Sequence, residues 1–395
     1  MPVESHAHSQ AQTVIVSTPV ITGRKWLYTW QSEVSECSHT SSATLGYESA
    51  IFTVSMAIDA GVATLNDWIL RGLGRDITIT DESGIGVWEG FVNQVSIQLG
   101  TLMIAVGPLV DIANRVSVVY SFIDDTTDPP IIGDQTITTL ADQDESVFQY
   151  GIWEKQYTGD ESTTTQAELL RDVILNDAAW PITTKTIQSA SAVPVVTLEC
   201  RGYADWLTAY LYTQTAASGT VTTETRIQEV LAADTNGIFS TDYSKLDTNG
   251  TLASNFEDTD KNALTVIKDA VALGRNVSTG VYRRWLFGIG AGRRAHYYQV
   301  PETIMYENTL RDGDEIKLWT GSTVKPWAVK PGQWLFFSDF LTGTEPPVSL
   351  DELQRDPRAL FIESCTYSAP YGLTVNGARI GSIKQAMAAY GLGGF

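Results

Sequence analysis

Histidine, cysteine and paired carboxylates are the side chains most often recruited for catalysis. The chain has 4 histidines. His6, His8 and His39 fall in an N-terminal arm and an early Ser/Thr-rich loop, and His296 stands alone on an expected strand. A Ser/His/Asp or Cys/His site needs its base within hydrogen-bond reach of the nucleophile and a third group to orient that base. Nothing near His296 in sequence supplies one, so it reads as a structural imidazole. His6-x-His8 has only two of the ligands a metal needs and reads as incidental. Cys37, Cys200 and Cys365 are odd in number and far apart, with neither metal spacing nor a disulfide framework. They read as buried thiols of a protein made in a reducing cytosol. Gly288-Ile-Gly-Ala-Gly292 lacks the third-glycine spacing and the following helix of a dinucleotide site, and reads as a hairpin turn. Pairs of acids such as Asp351/Glu352 and Asp312/Asp314 invite a glycosidase reading. That chemistry needs two carboxylates at a set separation in a cleft, whereas these lie in expected loops among other acids. The sequence therefore nominates no catalytic, cofactor-binding or metal-binding residue. The chain is expected not to be an enzyme and to need no cofactor.

Charge narrows the partners. The chain carries 46 acidic and 26 basic residues, a formal net charge of −20. Binding nucleic acid through its phosphates needs a basic stripe. Only short clusters occur, Arg283-Arg284 and Arg293-Arg294, so specific nucleic-acid binding is not expected. A surface past which DNA slides without sticking is compatible with this charge. No apolar run reaches the length that spans a bilayer. The polar start MPVESHAHSQAQ lacks the basic and apolar regions of a signal peptide, so membrane insertion is not expected.

The elements that position these residues are mostly strands. The clearest stretch is Gly74 to Leu99, GRDITITDESGIGVWEGFVNQVSIQL. Ile77 and Ile79 alternate with polar neighbours, Asp81-Glu82-Ser83-Gly84 turns the chain, and Val87 to Leu99 is apolar, aromatic and β-branched, which predicts a long hairpin. Lys25 to Trp30, Ser49 to Met56, Leu102 to Val106 and Val116 to Phe122 also read as strands. Ser38 to Ala43 reads as a loop, and Val14 to Val20 as an edge strand. Asp59 is placed to cap a helix carrying Val62, Leu65 and Ile69. Asp124 to Pro130, acidic with two prolines, is the strongest break. Beyond it, Thr165/Glu168 and Thr225/Gln228 have capping-box spacing, and Lys261 to Leu273, followed by Gly274, reads as the best helix. Val281 to Phe287 and His296 to Val300 form an expected hairpin. Glu315 to Trp319, Gln333 to Phe340, Ala359 to Tyr367 and Leu373 to Val375 supply later strands, and Ile383 to Tyr390 a short helix. A chain of 395 residues exceeds one small core. The expected organisation is an N-terminal arm (1–24), a first β-barrel domain (25–125), an α/β insert that completes either barrel (126–310), a second β-barrel domain (311–380) and a C-terminal helix and tail (381–395). The fold class is mainly β, with two tube-like β-barrel domains joined by mixed α/β segments.

Several of these stretches resemble one family. GRDITITDESGIGVWEGFVNQVSI and then GPLVDIANRVSVVYS are similar to the first barrel of tail hub proteins of tailed bacteriophages. Asp144-Glu-Ser-Val-Phe-Gln-Tyr150-Gly151-Ile-Trp-Glu154 resembles the segment that follows there. Leu198-Glu-Cys-Arg-Gly202-Tyr, the helix Leu264 to Leu273 and the strands Ala359 to Tyr367 keep the same order. The resemblance covers most of residues 25–378 and brings no catalytic residue with it. It implies a virion structural protein at the tail tip or baseplate, assembled in the host cytoplasm. It implies a homotrimer whose six barrels adapt a sixfold tube to a threefold tip around an acidic channel. The implied partners are the tail tube or distal tail protein above and a tip, spike or fibre protein below. Two alternatives stand beside it: a hexameric distal tail ring protein, and a carbohydrate-binding or glycoside-hydrolysing tail protein using exposed tryptophans. The Ala/Gly-rich end, Ser382 to Phe395, reads as a frayed tail or a docking peptide.

Overall fold

The structure is a computed structural model that describes residues 13–17, 28–30, 34–55, 61–81, 83–191, 193–215, 219–253, 258–274, 284–309, 316–338, 345–369 and 372–377. His6, His8, Asp59, Arg283, Asp312, Asp314 and the segment read as a C-terminal helix lie outside the described residues.

The chain is mainly β, organised on a 17-stranded mixed sheet. The expected hairpin is present as Asp76–Thr80 and Gly86–Leu99, with Ile79 opposite Trp88 and Ile77 opposite Gly90. The long strand changes partner along one edge. Its first half pairs with Asp76–Thr80 and its second half with Leu102–Val106. Its other edge, from Gly90 to Gln98, is taken by Val195–Gly202, which also pairs with Gly46–Ser55. A strand from beyond the Asp124–Pro130 break thus sits in the middle of the first β-rich region. Val34–Ser42 follows Gly46–Ser55 across the sheet, and Ala359–Ala369 then pairs with Val34–Ser42, so the two ends of the chain share one sheet. Ala359–Ala369 continues at its other end into Trp334–Phe337. Among the described residues these pairings do not close either β-rich region into a barrel.

Some local expectations are corrected. The Ser/Thr-rich stretch Ser38 to Ala43 is not a loop. Residues 38–42 belong to a strand, in which Thr40 Oγ1 meets Thr366 Oγ1 at 3.0 Å across the pairing. Thr13–Ser17 lies between two strands, Tyr28–Trp30 and Asp76–Thr80, instead of forming an edge. The helix Thr164–Ala178 is capped by Thr163 with Gln166, two residues before the expected box, and Thr223–Ala232 is capped by Thr222, three residues before. A run of threonines offers several cap positions, and periodicity alone does not choose among them. The acidic, proline-rich break is the turn of a hairpin, because Arg115–Asp124 pairs with Ile131–Ile137 across it. That pair belongs to a 4-stranded sheet that also holds Glu154–Thr158 in parallel. The helix Thr164–Ala178 covers it, packing Leu175 against Val116.

The largest core lies between the sheet and the middle helices. There Phe91, Trp153, Tyr203 and Trp206 pack with Ile227 and Val230 of one helix and Val266 and Ile267 of the helix Ala263–Leu273. Gly274 ends that last helix with φ −55°, so left-handed backbone is not why it is glycine. A Cβ there would sit 2.4 Å from the Tyr297 hydroxyl, so close approach is the reason.

Candidate functional site

Two features bring distant chemistry-bearing residues together: a buried ionic fastening and an adjoining cavity.

The fastening joins the hairpin to the turn after Trp285–Gly290. Asp76 and Glu89 share one face of the hairpin. Asp76 Oδ1 accepts from the Tyr203 hydroxyl at 2.7 Å, and its Oδ2 accepts from Arg293 Nη2 at 2.6 Å. Glu89 Oε2 accepts from the backbone N–H of Gly292 at 2.7 Å. Arg293 also lies 4.7 Å from the centre of the Tyr203 ring. Gly292 and Arg293 have φ of 70° and 58°, left-handed backbone that turns the guanidinium into the hairpin. Burial pushes the Asp76 carboxyl up to about 6, against the pull of Arg293 and Tyr203. Two near carboxylates, one of them with its proton held by burial, resemble an acid/base pair. Here both are engaged by hydrogen bonds within the protein, and neither lines the cavity, so their work is to hold two segments together.

The cavity, of about 540 Å³, opens beside this fastening. Three parts of the chain form it: strands and turn of the first β-rich region, the Gly288–Tyr298 hairpin, and the later segment that runs from Pro326 to Leu373. Its walls are chiefly apolar, with aromatic faces from Trp327, Tyr367, Tyr47 and Tyr298. Trp327 meets Tyr367 edge-on at 5.7 Å, and His39 lies 5.4 Å from Tyr367. Burial lowers His39 to about 4, so its imidazole is neutral at pH 7. His296 is also lowered, by burial first and then by Lys245, Lys330 and Arg294. A catalytic imidazole is normally oriented and made more basic by a carboxylate; these cations act in the opposite sense. Tight backbone contact shapes one wall. A Cβ on Gly46 would lie 2.2 Å from the carbonyl oxygen of Ile289, and one on Gly290 would lie 2.8 Å from His296 Nε2.

The remaining residues weighed in the sequence are dispersed. Arg284 forms a two-bond pair with Glu363 at 3.1 Å, and Arg294 pairs with Asp242 at 2.7 Å. Asp351 and Glu352 are in a helix, Leu350–Arg355, instead of a loop. Ser349 Oγ accepts from the Glu352 N–H, and Glu352 Oε2 accepts from the Val348 N–H at 2.7 Å, so Glu352 ties down a helix start. The three cysteines are buried and none forms a disulfide. Among the described residues no group of three or more His, Cys, Asp or Glu side chains is placed to hold a metal ion. No helix among them is long and apolar enough to cross a membrane.

Sequence reasoning missed Tyr203 and the aromatic lining. The one local signal was Pro326-Trp327-Ala-Val-Lys-Pro331, a tryptophan held between two prolines in a polar stretch. The contacts of Asp76 with Tyr203 and Arg293, and of Glu89 with Gly292, join residues more than 120 positions apart and leave no local mark. No protein-family model matches the chain, and no curated protein matches it.

Proposed function

We propose that the chain is a structural subunit of a bacteriophage tail tip or baseplate hub, working as a homotrimer that closes the tail tube. The reading rests on the resemblance of its short motifs and on where those motifs lie. Gly74-Arg75-Asp76-Ile77, Trp88-Glu89-Gly90 and Leu198-Glu-Cys-Arg-Gly202 stand side by side at the centre of the sheet. A Cβ on Gly90 would lie 2.1 Å from the Arg201 carbonyl oxygen, so the motif glycine stands where the neighbouring strand leaves no room for a side chain. In this reading the two β-rich regions serve as the tube-like barrels of the ring, and three chains adapt a sixfold tube above to a threefold tip below. The tail tube or distal tail protein and a spike or fibre protein are its neighbours.

Two further observations favour a role in assembly. The edge strand Ile131–Ile137 is exposed along its whole length, and its Ile131 and Ile132 are 58% and 56% exposed. Exposed apolar edges are a liability unless another subunit covers them. The net charge of −20 suits a channel that passes DNA without holding it.

Native mass measurement of the purified protein, alone and with its tail-tube neighbour, tests the proposal. Three copies per ring support the hub, and six identify a distal tail ring. A chain that stays monomeric and fails to join the tube overturns both.

A further inference from the structure

The cavity has features that a purely architectural seam does not require. Its volume of about 540 Å³ falls within the roughly 300–1,000 Å³ typical of small-molecule sites. It is concave and walled on three sides by segments fixed to one another, two of them through the Asp76–Arg293 and Glu89–Gly292 contacts and the third through the pairing of Ala359–Ala369 with Val34–Ser42, so it is formed before any ligand arrives. Among the described residues its charged lining is one cation, Lys330, and one anion, Asp81. Asp81 is itself engaged, because its Oδ1 accepts from the N–H groups of Ser83 and Ile85 at 2.8 and 2.9 Å. Both imidazoles are neutral at pH 7, and burial raises the phenols of Tyr47 and Tyr298 to about 12. The lining is thus close to electrically neutral in a protein of net charge −20.

A charged ligand would lose its hydration here without gaining a dedicated counter-ion. A sugar would find Ser41, Ser42 and the two imidazoles for some of its hydroxyls but would press the rest against walls that are chiefly apolar. A flat apolar ring would find aromatic edges and faces at Trp327 and Tyr367, with aliphatic surface from Val87, Val329 and Leu373. We propose that this cavity is a binding site for an uncharged aromatic ring, of the size and chemistry of an indole or a phenol. The inference stands apart from the assembly role.

Titration of the full-length protein with 5-fluoroindole, followed by fluorine NMR, tests this directly. Saturable binding at micromolar to low millimolar concentration is expected. Ala328→Phe, which projects a ring into the cavity from a half-buried turn, should weaken binding at least tenfold. Ile85→Ser, at a rim position that is 63% exposed, should weaken it a few-fold with an unchanged melting temperature. Competition assigns the source of the ring. If N-acetyltryptophanamide displaces the probe as well as indole does, the ring comes on a polypeptide. If indole alone displaces it, the ligand is a free small molecule. Indole-3-acetate and N-acetylglucosamine should each compete at least tenfold more weakly than indole. Absence of saturable binding overturns the proposal. So does equal competition by either of those two, or binding that Ala328→Phe leaves intact in a folded protein.

Discussion

Replacing Asp76 by asparagine should remove a pH dependence that runs against ordinary acid denaturation. In the fold the Asp76 carboxyl holds its proton up to about 6, against an ordinary value of 3.8, because burial outweighs the attraction of Arg293 and Tyr203. A carboxyl raised in this way adds stability that is complete below the unfolded value and is lost as pH rises through the folded one. The whole shift is worth about 3 kcal/mol at about 1.4 kcal/mol per pH unit. Over the accessible window from pH 7 down to pH 5 it is worth about 1.4 kcal/mol. Asparagine keeps an oxygen to accept from Tyr203 and does not titrate, so the variant provides the reference. Urea unfolding of both proteins at pH 7 and pH 5 gives the measurement. The wild type should gain about 1.4 kcal/mol over Asp76→Asn on acidification. An equal difference at the two pH values would refute the reasoning. A wild type that loses ground would show that Arg293 dominates and that the carboxylate is ionised well below pH 5.

Gly46→Ala combines a left-handed φ of 79° with a Cβ placed 2.2 Å from the Ile289 carbonyl oxygen, so it should cost more than about 3 kcal/mol by thermal or urea unfolding. Gly100→Ala, at φ 58° with nothing within 4 Å, should cost only about 1 kcal/mol, and equal losses would disprove the contact argument. Trp153 is fully buried with its ring 4.5 Å from that of Trp206, so Trp153→Ala should lose about 3–5 kcal/mol in the same measurement and Trp153→Phe distinctly less. Burial raises the Cys37 and Cys365 thiols to about 12 and raises Cys200 as well. A thiol-specific disulfide reagent at pH 8 should therefore leave the folded protein unlabelled and modify all three cysteines once it is unfolded.

Strands with strong alternation were legible from the chain alone. Ile77 and Ile79, then Phe91, Val95, Ile97 and Leu99, read as the apolar positions of the hairpin, and all are buried except Leu99, which is exposed at the end of its strand. Val34–Ser42 was hidden because its side chains are largely Ser, Thr and His. Its strand character comes from two neighbours that satisfy its backbone, not from apolar period. Asp351 and Glu352 looked like solvated acids because a helix of one and a half turns carries too little periodicity to register. Thr183–Ile187 was missed for a similar reason, being exposed at every position. Of the site, only Trp327 between Pro326 and Pro331 left a local mark. Asp76, Tyr203 and Arg293 are each unremarkable locally, and only the fold makes them one unit.

The placement of Val195–Gly202 between Gly46–Ser55 and Gly86–Leu99 bears on how the protein is made. Both flanking strands leave the ribosome well before the one that joins them, and Val34–Ser42 must wait for Ala359–Ala369, near the far end of the sequence. Until then, unsatisfied amide rows face solvent, where they invite pairing with other nascent chains. Closing such long loops is also slow. The sheet is therefore completed only after Ala359–Ala369 has been synthesised, and the supply of chaperones during synthesis would set the yield of this protein.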